Sequence, residues 1–130
     1  MTARTITSDD VIFFMDMVNS PRSPNHIPGF HQPKPYYKIL DDPESEEFRR
    51  FIKVYNAEKH VLKEREQKIL ADLYGVTHPK VNLKEASAIY NVTPERIRQI
   101  RQKAERKITT SLLKRFKQEL HDDMPAVFRL

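Results

Sequence analysis

Apolar residues along this chain recur at intervals of three and four, and the elements they predict are helices. Thr7-Ser8-Asp9-Asp10 reads as the cap of a short helix carrying residues 11–18. Residues 20–35 then hold Pro21, Pro24, Pro28, Pro33 and Pro35, a spacing no helix survives, so an extended loop or linker is expected. Tyr36, Tyr37, Ile39 and Leu40 would pin that loop to an apolar surface. Asp42-Pro43-Glu44 reads as a helix start, and Phe48, Phe51, Ile52 and Tyr55 carry the helix to about Ala57.

From Val61 the pattern tightens. Leu62, Ile69, Leu70 and Leu73 form the apolar side of a helix that ends near Tyr74-Gly75, with Gly75 as its C-terminal cap. Residues 76–82, with Pro79, form a loop. Residues 83–90 form a short helix, and Asn91-Val92 a tight turn. Thr93 suits an N-cap and Pro94 the first helical position, where its missing N–H costs nothing. A long helix follows, with Ile97, Ile100, Ala104, Ile108, Leu112 and Phe116 on one stripe, running to about Leu120. Residues 121–130 look frayed.

Composition narrows the class. One compact domain plus a tail fits 130 residues. Two glycines and no tryptophan argue against a β-sandwich or a glycine-rich nucleotide loop. The absence of cysteine excludes disulfides and thiolate metal sites. The apolar patch Val11-Ile12-Phe13-Phe14-Met15 is flanked by Asp9, Asp10 and Asp16, unlike a signal peptide. No apolar run reaches the ~20 residues of a membrane span. An intracellular, cytoplasmic protein is expected.

The net charge of +5 is unevenly placed. Residues 62–120 hold 14 Lys and Arg against 7 Asp and Glu, and the rest holds 9 against 11. Between residues 93 and 117 there are 9 basic residues opposed by Glu95 and Glu105 alone. Such a helix suits a polyanionic partner as well as a plainly solvated face. Two helices joined by a turn of about three residues have the form of a helix-turn-helix. Ala86 and Tyr90 supply the inner face of the first helix, Ser87 permits close approach, and Asn91 tolerates a left-handed turn. Val92, Ile97 and Ile100 complete the small core, and Glu95, Arg98 and Gln99 point outward. A simple helical hairpin satisfies the same pattern.

Leu62-Lys63-Glu64-Arg65-Glu66, Leu70, Tyr74-Gly75, Leu83-Lys84-Glu85, Val92-Thr93-Pro94-Glu95-Arg96-Ile97-Arg98-Gln99-Ile100, Lys103-Ala104 and Arg106-Lys107 together resemble region four of the primary bacterial sigma factors. In that family the domain recognises the −35 promoter element and docks on the β flap of RNA polymerase. The resemblance covers roughly residues 61–108. It implies an all-α fold, double-stranded DNA and bacterial RNA polymerase as partners, and base-edge roles for Glu95 and Gln99. It implies phosphate contacts for Thr93, Arg96 and Lys103, and a DNA-backbone contact for the backbone N–H of Leu83. Arg98 and Arg106 match basic positions near the same surface.

This chain departs from the family at three places. Pro94 stands where the family has an arginine that reads guanine, and proline cannot donate. Lys84 and Arg101 stand where acids are usual, which would place more positive charge beside the groove. Residues 1–60 do not resemble region two, which melts the promoter, so a partial sigma factor is expected.

His26, His31, His60, His78 and His121 lack the paired spacing of a metal helix, and Asp9-Asp10 and Asp41-Asp42 fall at expected caps or turns. No phosphate-binding loop, nucleophile elbow or other catalytic set is present, so no metal, cofactor or enzyme activity is expected.

Three units follow: an N-terminal segment (residues 1–60), a helix-turn-helix domain of sigma region-four type with a long recognition helix (61–120), and a tail (121–130). The expected function is a phage or bacterial DNA-binding transcription regulator or partial sigma factor that contacts RNA polymerase. The alternative is a protein-interaction module that binds polymerase or a sigma factor as co-regulator or inhibitor without reading DNA. Pro94 motivates it, as would exposure of Phe13, Phe14, Tyr36 and Tyr37, which otherwise read as packing residues. A homodimer, or a partner chain, through residues 1–60 is a further possibility.

Overall fold

The computed structural model describes residues 6–27 and 34–123. They form helices α1 (Ser8–Met17), α2 (Tyr36–Leu40), α3 (Glu46–Glu58), α4 (Glu64–Tyr74), α5 (Leu83–Tyr90), α6 (Pro94–Arg115) and α7 (Lys117–Asp123), with a 3-10 turn at Lys59–Val61. The fold is all-α, as the apolar spacing predicts, and no strand occurs among the described residues. No helix among them is long and apolar enough to cross a membrane.

Local chemistry sets the boundaries. Thr7 caps α1 by accepting from the N–H of Asp10, whose carboxylate accepts in return from the N–H of Thr7. The same Asp10 carboxylate takes Arg50 at 2.7 Å and Lys53 at 3.4 Å, which ties α1 to α3. The Glu66 carboxylate accepts from the N–H of Lys63 at the start of α4. Gly75 ends α4 at φ 75°, and a side chain there would stand 2.9 Å from the backbone nitrogen of Lys80.

Packing falls into two cores, and α4 and α6 contribute to both. The smaller core joins Ile69 and Leu73 of α4, Ala86 of α5, and Ile97 and Ile100 of α6. The larger core joins Leu70 and Tyr74 of α4 and Ala104, Ile108 and Leu112 of α6 to the N-terminal helices, through Val11, Phe14, Tyr36, Phe51, Val54 and Tyr55. At its centre Phe51 stacks on Phe14 with centroids 5.0 Å apart and meets Tyr74 edge-on at 4.9 Å. Helices α1–α3 therefore cover the side of α4 and α6 that faces away from α5.

Four expectations are corrected. The start expected at Asp42-Pro43-Glu44 lies later, because Ser45 accepts from the N–H of Phe48 and makes the better cap, while Asp42 accepts from Ser45 in a preceding turn. Residues 20–27 are not extended. Ser23 donates to Ser20 and His26 to Ser23 in successive turns, and Arg22 anchors them to Thr110 at 2.9 Å. The prolines at 28 and 33, and His31, lie outside the described residues. The long helix stops at Phe116, where φ −106° and ψ 22° break the regular geometry. It resumes as α7, so residues 121–123 are helical, and the rest of the expected tail lies outside the described residues. Phe14 and Tyr36 are buried rather than exposed, and Phe13 is half-buried under the guanidinium of Arg50, 4.6 Å from its ring. Only Tyr37 of that set is exposed.

Candidate nucleic-acid interface

The α5–α6 unit is built from short-range hydrogen bonds. Asn82 caps α5 by accepting from Glu85, and the Glu85 carboxylate returns the bond to the N–H of Asn82. Asn91 ends α5 at φ 56°, and the N–H groups of Asn91 and Val92 both donate to the carbonyl of Ser87. Two residues later Thr93 accepts from the N–H of Arg96 at 3.0 Å and opens α6, with Pro94 in the first turn. The chain thus reverses between Tyr90 and Pro94, and the smaller core holds the two helices together.

A second set of bonds fixes this unit to α4. Arg65 donates to the carbonyl of Tyr90 at 3.2 Å. The Tyr90 hydroxyl donates to Asp72, whose carboxylate also meets Nε2 of His78 at 2.7 Å. Partial burial and the Asp72 charge push the Tyr90 hydroxyl pKa up to about 12. The Pro79 carbonyl and Asp72 together hold the His78 pKa above its usual value. Sequence reasoning missed Asp72 and Tyr90 as partners, because 18 residues separate two side chains that only the fold brings together.

The expected site residues lie along the outer side of the unit. Thr93, Glu95, Arg96, Gln99, Lys103 and Arg106 are exposed, and Arg98 is half-exposed. Glu95 accepts from Nε of Arg98 at 3.0 Å and also from its Nη2. Arg98 accordingly holds the Glu95 carboxylate below its ordinary pKa, and Glu95 raises that of Arg98. Arg96 donates to Oε1 of Gln99 at 3.5 Å. Leu83 is the first residue of α5, with its side chain turned partly into the smaller core. Its backbone N–H belongs to the first turn, which has no partner within the helix. The outer side of α6 therefore carries two candidate base readers and four exposed or half-exposed basic side chains, and Leu83 opens the neighbouring α5.

Arg101 is not among them. It does not stand beside the groove but is 6% exposed, with Nη1 donating to the hydroxyl of Tyr37 at 2.7 Å. Burial works against its charge. The surrounding Tyr36, Glu105 and Tyr37 outweigh that and raise its pKa. Glu105, one turn on, is 3% exposed, accepts from the Tyr74 hydroxyl at 2.6 Å and lies 3.2 Å from Lys34. The apolar stripe of α6 carries this polar inset because α2 and Lys34 fold back over it. Lys107, also off that outer side, grips both Glu66 oxygens at 2.9 Å.

A two-helix unit with this turn and this capped second helix is a helix-turn-helix, a form common in DNA-binding proteins. Residues 60–109 match the family described as "Sigma-70, region 4", so this part of the chain is a sigma-70 region-four domain, a transcription-related fold. Comparisons with curated proteins and with solved structures found no match.

Proposed function

We propose that this protein is a promoter-recognising transcription regulator, or a partial sigma factor, that lays the start of α6 in the major groove of DNA and also contacts RNA polymerase at the β flap. The observation that carries this reading is the exposure of Glu95, Arg96, Gln99, Lys103 and Arg106 on a helix whose other side is buried. Glu95 suits the amino group of cytosine, and Gln99 suits adenine. Thr93, Arg96, Arg98, Lys103, Arg106 and the backbone N–H of Leu83 serve as positioning contacts to phosphate. Binding is then sensitive to salt, because each phosphate contact releases counterions. Pro94 supplies no donor, so the site differs from the family's usual guanine-containing one. A gel shift with promoter fragments at low and moderate salt tests this. Sequence-dependent retardation supports the reading, and none at low salt sinks it.

A second reading keeps the fold without the base code: a module that binds polymerase or a sigma factor as co-regulator. Pro94, exposed at the start of α6 and without a donor, favours it. Capture of polymerase by the full chain without any DNA shift would select it.

A further inference from the structure

We infer that Gln102 is a further base-reading residue, which extends the reading side of α6 by about one turn. The inference rests on the proposed DNA-reading role of that helix. Glu95, Gln99, Gln102 and Arg106 follow one another at intervals of four, three and four, so they form one lengthwise stripe. The opposite side is committed to the interior through Ile97, Ile100, Arg101, Ala104, Glu105 and Ile108. Gln102 is exposed, and so are Lys103 and Arg106 beyond it. With Lys103 and Arg106 on phosphates, the duplex runs beside α6 past residue 102, and the Gln102 amide faces it.

The chemistry suits adenine, since a side-chain amide accepts from N6 while donating to N7. Gln102 also differs from the two expected readers in its freedom. Glu95 is held by Arg98 and Gln99 is approached by Arg96, whereas no hydrogen bond engages the Gln102 side chain among the described residues. It therefore has no internal bond to give up on meeting a base. Three residues rise about 4.5 Å along a helix, against about 3.4 Å per base step. Gln102 thus falls opposite the pair one step beyond that of Gln99. Pro94 offers no base-reading donor in the first turn, and Gln102 adds one in the third.

Selection of binding sites from randomised duplexes tests this, using the full chain with glutamine, alanine or glutamate at position 102. The parent is expected to prefer adenine one step beyond the pair whose preference Gln99→Ala removes. Gln102→Ala should lose about tenfold discrimination at that step alone, and Gln102→Glu should turn the preference toward cytosine. A merely structural role would not produce that exchange. An unchanged motif in Gln102→Ala, or equal weakening on every sequence, overturns the inference while leaving the Gln99-dependent motif intact. A parent that selects no motif at all overturns the DNA-reading proposal and this inference with it.

Discussion

At the scale of the residue, the proposed function divides the outer side of α6 into side chains that select and side chains that hold. In that proposal Glu95 and Gln99 meet base edges, and Arg96 and Lys103 meet phosphates, which carry no base information. Glu95→Ala and Gln99→Ala are therefore expected to change which sequences bind best, read by competition between duplexes. Arg96→Ala and Lys103→Ala are expected to weaken all sequences alike and to reduce the slope of log K against log salt by about 1 each. An arginine variant that altered preference without altering the slope would contradict this division. Arg101 shows why charge alone is a poor guide. Its position in the chain suggests a groove-side cation, yet Tyr37, 64 residues away, takes it into the interior.

At the scale of the element, single caps decide where helices begin and how they meet. Asn91 holds a left-handed conformation that alanine adopts poorly, so Asn91→Ala is expected to destabilise by about 1 kcal/mol and Asn91→Gly by little. Thermal unfolding of both variants checks this, and equal losses would show that the side chain rather than the backbone matters. Glu66 links the start of α4 to α6. Burial alone would raise its pKa, but Lys107 and the N–H of Lys63 outweigh that and leave it below the usual value of 4.5. A lowered folded-state pKa means stability that is fully present above the unfolded value and lost as pH falls through the folded one. Glu66→Gln should therefore flatten the acid side of the stability profile as pH falls below the usual 4.5. An unchanged profile would remove Glu66 from the account. Elements marked by local signals were legible in sequence: the Gly75 and Thr93 caps, and the turn at Asn91. The start of α3 is not legible, because Asp42 and Ser45 both suit a cap and only geometry separates them.

At the scale of the whole molecule, the N-terminal helices share a core with the region-four domain. Phe51, fully buried between Phe14, Tyr36 and Tyr74, joins the two parts. Phe51→Ala is expected to cost about 3–5 kcal/mol, seen as one lowered unfolding transition. Two separate transitions would show instead that the parts fold independently. This union was not legible in sequence, because apolar spacing shows that a helix has a buried side but not what covers it. The helix-turn-helix was legible because its pattern is local and its core small. The polar inset of Arg101, Glu105 and the tyrosines was not, because it depends on segments far apart in the chain. The proposed function stands on DNA reading by α6. The most direct measurement compares promoter-DNA binding by the parent and by the combined Glu95→Ala, Arg96→Ala, Gln99→Ala and Lys103→Ala variant, with folding checked by circular dichroism. The expected result is a folded variant that no longer shifts the DNA. A folded variant that shifts it as well as the parent would rule out DNA reading by α6.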